Sequence, residues 1–327
     1  MTSQTGSQAV EQSPAHPAPT ARPPGPATPR RAFRLPGFTL AVPAWLWLIG
    51  FFLAPVSLVL WYSFGEKPGL FGTHSNKVLS LDRYGEALEP DYLPTFVNTL
   101  RIAVVGTLIC LLIAVPFAYW LAVKVDPRWR GVVLGLVMVP YWTNFLVRTL
   151  GWTVILSPDG WVSGLLQDIG LRDAPLAVLY TRGAVQLGVV YNYLALMILP
   201  VFVAFDRIDP ALREASRDLG ANRWRTFRQV SLPLAAPGVA AGLVLVFIPL
   251  MGDYVTATVL GGAKGTMAGQ LVASQFQTAQ NWALGSAMAV VLIVFIGITV
   301  AFFAIAWTSL RAVVRARSRL VVAERAA

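Results

Sequence analysis

Apolar residues in this chain gather in long blocks and do not alternate with polar ones. Six stretches, at about 41–64, 96–123, 131–156, 184–205, 234–260 and 285–309, each run for 20 residues or more with few charges. A bilayer's hydrocarbon core is about 30 Å thick and a helix rises about 1.5 Å per residue, so about 20 apolar residues suffice to cross it. Lipid offers the backbone no hydrogen-bonding partners, so each block predicts a helix. The expected fold class is all-α, a polytopic membrane protein with about six transmembrane helices. Pro55, Pro116, Pro140, Pro200 and Pro249 fall inside these blocks. Neighbouring helices can satisfy the carbonyls that a proline frees, so kinks are expected and not breaks. Gly238, Gly242 and Gly252 allow close helix approach in the fifth block.

Composition agrees with the pattern. The 327 residues are 56% hydrophobic and 13% charged, about half the charge of a soluble domain. The formal net charge of +10 would suit a nucleic-acid partner, but its placement excludes that reading. Of the 26 Lys and Arg, 18 lie in four segments: the tail 1–36, the turn 124–130, the loop 206–233 and the tail after 310. This is the positive-inside distribution. It puts both termini of a multi-pass membrane protein on the cytosolic side. Segment 65–95, on the other side, has five acids against three bases. Residues 1–36, with seven prolines between Pro14 and Pro29, predict a disordered tail, and the first apolar block starts too late and runs too long for a cleavable signal, so it is expected to stay as a membrane anchor. Residues 158–172 read as a small amphipathic element at the outer interface, flanked by Trp152 and Trp161. Cys110 is the single cysteine, so no internal disulfide can form. His16 and His74 have no ligand cluster near them in the sequence, and no metal site is expected.

The loop 206–233 is too long for a simple turn and is well patterned. Asp209 is an N-cap residue, Pro210 suits the first helical position and Gly220 suits the position after the last turn. Leu212, Ala215, Ser216 and Leu219 share one face of the predicted helix, with Arg213, Glu214, Arg217 and Asp218 on the rest. A second short helix is expected from Asn222 towards Val230, after which Pro233 would start the fifth span. Small residues at 215 and 216 would let a partner's groove approach the backbone, and Glu214 could bond at its rim. The residues alone leave two readings open: a docking helix, or a solvated loop helix that only steadies the bundle.

The spacing Glu214-Ala215-Ser216, Gly220, Val230-x-Leu232-Pro233 resembles the "EAA" loop of ABC-transporter permease subunits. Ser216 and Val230 stand where Ala and Ile are commonest in that family. From about 61 to 310 the chain is similar to the spermidine/putrescine-type ABC permeases. The segments that carry this are Pro140-Tyr141-Trp142-Thr143-Asn144 with Arg148, Leu156-Ser157-Pro158-Asp159-Gly160, Met251-Gly252-Asp253-Tyr254 and Gly261-Gly262-Ala263-Lys264. The resemblance implies a type I importer. Its partners would be a dimer of ATPase subunits, a second, related permease and an extracytoplasmic solute-binding protein. The ATPase would grip Leu212, Glu214, Ala215, Ser216, Leu219, Gly220, Leu232 and Pro233. The corresponding domain plan is a tail 1–36, a first transmembrane helix and extracytoplasmic segment 37–94, a permease domain 95–310 and a basic cytosolic tail 311–327.

The chain carries no phosphate-binding loop, since Gly261–Thr266 lacks the required spacing. No cofactor is expected in it, and ATP and Mg would bind the partner; the chain reads as a transport subunit and not as an enzyme. A polycation needs carboxylates and aromatic faces along its path. Asp253 beside Tyr254 lies deep in the fifth block, where an acid costs about 2.5–3.5 kcal/mol, so it either lines the pathway, pairs with Arg148 or Arg101 of another block, or reaches the outer interface. Trp142, Asn144 and Asn192 are lesser candidates for the pathway, Asn192 also being suited to an interhelical hydrogen bond. Arg101 and Arg148 are expected to reach outwards to the interface. The alternatives are another cargo for the same machinery (an amino-acid derivative, an opine, a ferric complex) or a stand-alone secondary transporter. The latter would call for an inverted repeat of broken helices, which the sequence does not display.

Overall fold

Helices account for the regular structure of the described residues, apart from one isolated bridge between Glu66 and Ser75. The computed structural model describes residues 37–69, 71–171 and 173–326; the tail expected over 1–36 lies outside them. The chain divides into two compact units, 1–53 and 54–327. In the first, α1 (Gly37–Leu48) runs into a π-helical turn, Ile49–Leu53, where Trp47 stacks on Phe51 with ring centroids 4.0 Å apart.

The second unit opens with α2 (Ala54–Tyr62) and the short α3 (Asp82–Ala87). The long α4 (Leu93–Lys124) is followed by α5 (Pro127–Trp142), α6 (Phe145–Leu156) and α7 (Trp161–Asp168). Next come α8 (Arg182–Asp206), α9 (Pro210–Asp218), α10 (Arg223–Thr226), a π turn at Phe227–Ser231 and α11 (Leu232–Met251). After a second π turn, Ala257–Gly261, the chain ends in α12 (Ala268–Gln277) and α13 (Trp282–Ala326).

Among the described residues, five stretches are long and apolar enough to cross a membrane: Ala41–Tyr62, Leu93–Lys124, Arg182–Asp206, Arg223–Met251 and Trp282–Ile305. The third expected span is not one helix. It is a bent pair, Pro127–Trp142 and Phe145–Asp168, meeting at 85°. The Pro140 carbonyl is left outside the helical ladder and accepts from Thr143 Oγ1 at 2.7 Å and from the Arg148 guanidinium at 2.8 Å. Asn144 then starts α6 by accepting from the backbone N–H groups of Leu146 and Val147. The fifth expected span is also corrected at both ends. It begins at Arg223, about ten residues before Pro233, and its helix stops at Met251, with Gly252–Tyr254 outside it.

The core is centred on α8, which packs against α4 and α11. Phe205, Leu121, Met197, Leu250 and Val189 are fully enclosed there. By contrast α5 buries none of its residues. In lipid this exposes no apolar surface to water, because acyl chains are as apolar as leucine. Gly238 shows how closely α8 and α11 meet: a Cβ there would lie 2.3 Å from the Ala204 Cβ and 2.7 Å from the Pro200 carbonyl oxygen. Gly238→Ala should therefore push the two helices apart and cost about 1–3 kcal/mol, as overpacking does. A thermal unfolding midpoint in detergent equal to that of the parent chain would refute this.

Candidate functional site

Two regions collect the residues singled out by chemistry. The first is the loop after α8. Asp209 caps α9 by accepting from the Ala211 N–H at 2.9 Å. Gly220 ends the helix with φ +82°, the left-handed conformation that favours glycine. Its N–H reaches the Arg217 carbonyl at 2.8 Å, and the Ala221 N–H reaches that of Ser216 at 3.1 Å. This paired closure satisfies the last carbonyls of α9. Ser216 Oγ lies 3.1 Å from Thr226 Oγ1, which pins α9 to α10. Asn222 caps α10 by accepting from Arg225 N.

The burial pattern of α9 differs from expectation at one position. Arg213 turns inward and is buried, whereas Leu212 is half exposed and Leu219 is 89% exposed. Glu214 and Ala215 are exposed and Ser216 is partly so. Trp224 is also exposed and stacks on Phe227, which in turn packs against Tyr119 of α4 and Phe205 of α8. Arg130 at the start of α5 pairs with Asp206 at 2.7 Å. The loop is thus a braced platform whose apolar tips face outward. Leu232 and Pro233 lie within the continuous helical run that follows, where Leu232 packs against the core.

The second region lies between the two breaks, at α8. Asn192 is buried. By the helical rise it stands about 15 Å from the N-terminal end of α8. Its side-chain nitrogen donates to Thr149 Oγ1 of α6 at 3.0 Å and to Thr256 Oγ1 beyond the α11 break at 3.3 Å. Its oxygen accepts from Arg148 Nε at 2.7 Å. Asp253 is 5% exposed and accepts from the Thr256 N–H at 3.0 Å and from Thr256 Oγ1 at 2.6 Å. One hydrogen-bonded chain therefore runs from Arg148 through Asn192 and Thr256 to Asp253, joining both breaks to α8. Of the other pathway candidates, Tyr254 and Trp142 are exposed beside this chain in sequence, and Asn144 is the cap of α6.

Arg148 corrects an expectation. It does not reach outwards: its guanidinium donates to the Pro140 carbonyl, which also accepts from the Thr143 N–H and hydroxyl, and to the buried Asn192 oxygen. Arg148, Thr149 and Thr256 were not picked out as site residues from the sequence. Thr256 does carry a sequence signal, since an acid followed three residues later by a helical N–H is the spacing of a cap. Thr149 carried no such signal.

Residues 114–313 match the family model described as "Binding-protein-dependent transport system inner membrane component". The chain belongs to this family. Its relatives include the spermidine/putrescine transport system permease protein PotB of Haemophilus influenzae, 39% identical over 254 residues, or 78% of this chain and 88% of that protein. PotB of Escherichia coli K12 is 34% identical over 252 residues, covering 77% of this chain and 90% of the relative. Among solved structures, a bacterial ABC transporter involved in import of the acidic polysaccharide alginate superimposes with a TM-score of 0.65 at 17% identity, covering 81% of this chain and 92% of that one. That likeness concerns the fold. The chain is accordingly a multi-pass membrane permease subunit of an ABC importer.

Proposed function

We propose that this permease carries a polyamine of the spermidine and putrescine class into the cytoplasm, driven by a separate ATPase. The observation that carries the cargo assignment is similarity to PotB at 39% and 34% identity over more than three quarters of the chain. The buried carboxylate of Asp253, which has no ion-pair partner among the described residues, supports it. A cation passing the α11 break would meet an uncompensated acid, with the Tyr254 ring beside it in sequence.

In this reading the loop 206–233 is cytosolic and an ATPase dimer grips its exposed tips, Leu212, Leu219 and Trp224, with Glu214 at the rim. A second, related permease covers the exposed apolar faces, and an extracytoplasmic binding protein delivers the solute. Closure of the ATPase moves α9 and α10, and the Phe227 contacts with Tyr119 and Phe205 pass that motion to α4 and α8. ATP and Mg bind the partner and not this chain. The test is uptake of labelled putrescine into proteoliposomes holding the four kinds of subunit. Uptake is expected to require ATP and to vanish when the ATPase is omitted. Lack of uptake with both putrescine and spermidine would remove the polyamine assignment, and uptake by this chain alone would remove the coupling.

A further inference from the structure

The Arg148 guanidinium is held without a counter-ion: it makes no ion pair among the described residues. Its Nε donates to Asn192 Oδ1 at 2.7 Å and its Nη1 to the Pro140 carbonyl at 2.8 Å. Its central carbon stands 5.5 Å from the centroids of both the Tyr141 and Phe145 rings. Two neutral oxygens and two ring faces form a receptor for a compact cation, and nothing in the set is specific to arginine. The receptor is built and not incidental. Both amide hydrogens of Asn192 are spent on Thr149 and Thr256, so its oxygen has to face the guanidinium. The Pro140 carbonyl, which also accepts from Thr143 Oγ1 at 2.7 Å and from the Thr143 N–H at 3.3 Å, faces the guanidinium because the helix breaks there. Arg148 is only half buried and Tyr141 is 38% exposed, so the cage opens to the surface of the subunit.

We infer that Tyr141, Phe145, the Pro140 carbonyl and Asn192 form a cation-binding cage that Arg148 occupies at rest, and from which an ammonium group of the cargo displaces it. This rests on the polyamine reading above and adds a second cation position to Asp253. The two are joined by Asn192 and Thr256, so loss of Arg148 from the cage is felt at the α11 break. The tethered arginine keeps the cage filled when no cargo is present and admits a cation only by exchange.

The experiment uses the complete transporter, purified with its ATPase and second permease, in nanodiscs without binding protein. Equilibrium binding of radiolabelled methylguanidinium is compared for the parent chain, Arg148→Ala and Arg148→Gln. Both variants should bind it saturably and at least tenfold more tightly than the parent, and Tyr141→Ala added to Arg148→Ala should remove the gain. No gain in either variant overturns the inference. Failure of both to assemble would make the arginine a brace for the helix break and overturns it equally. ATP-driven putrescine uptake by the parent transporter reports separately on the cargo. Uptake without a gain in binding retires the cage alone; a gain in binding without uptake retires the polyamine cargo and leaves the cage.

Discussion

Transport by the Gly220→Pro variant is expected to fall to background while the chain still enters the membrane and folds. Gly220 holds φ +82° and its N–H closes the end of α9 on the Arg217 carbonyl. Proline removes that N–H and holds φ near −65°. It also drives the preceding residue, Leu219, out of the helical region. The last turn of α9 would unwind, and the 89% exposed Leu219 would point elsewhere. None of this touches a membrane span. Gly220→Ala is the informative control. A Cβ at 220 meets nothing within 4 Å, so alanine should cost only the left-handed backbone, about 1–2 kcal/mol, and retain most uptake. Glu214→Lys should resemble the proline variant in uptake, because it reverses the charge of an exposed side chain without disturbing the caps. Co-purification of the ATPase with each variant checks the cause: it should be lost with Gly220→Pro and Glu214→Lys and kept with Gly220→Ala. Parental uptake by Gly220→Pro and Glu214→Lys would end the docking role.

The spans were legible because in lipid the solvent itself demands apolar length, and no tertiary detail is needed to read it. The caps of α9 were legible for a similar reason: Asp209, Pro210 and Gly220 act within a single turn. The helix breaks were not legible, because one residue type gives two outcomes here. Pro116 and Pro200 sit inside unbroken α4 and α8, whereas Pro140 and Pro249 each stand two residues before a helix end. The difference lies four residues further on. Asn144 follows Pro140 and Asp253 follows Pro249, and each accepts backbone N–H groups of the helix that comes next. Where a capping side chain is at hand, the freed backbone can afford to stop and restart; after Pro116 and Pro200 the chain is apolar and has to continue. The inward turn of Arg148 was hidden by the same fact, since its partner is a carbonyl that only the break exposes. Arg213 illustrates a different limit. Helical spacing places side chains around an axis but does not say which way the helix is rolled against the bundle.

Asp253→Asn should lower ATP-driven putrescine uptake roughly ten- to hundredfold with little change in assembly, since a hydrogen bond to a charged group is worth about 1.5–3 kcal/mol. The geometry separates the two effects. An asparagine oxygen can still accept the Thr256 N–H that Asp253 Oδ1 accepts now at 3.0 Å. The larger change is at the other oxygen, which takes the Thr256 hydroxyl at 2.6 Å; the Tyr193 hydroxyl, also beside the carboxylate, can donate to an amide oxygen as well. With an amide there, Thr256 Oγ1 would face donors from both residue 253 and Asn192, and its own hydrogen would need a new acceptor. That rearrangement costs about 1 kcal/mol, against a typical folding stability of about 5–15 kcal/mol. The fold should tolerate it. What asparagine cannot supply is the negative charge, and a polycation is sensitive to that and to little else at this position. The measurements are the initial rate of putrescine uptake and the yield of the assembled transporter. A variant that assembles but transports as well as the parent would take Asp253 off the pathway. A variant that fails to assemble would make the carboxylate a structural cap for the restart of the helix after α11.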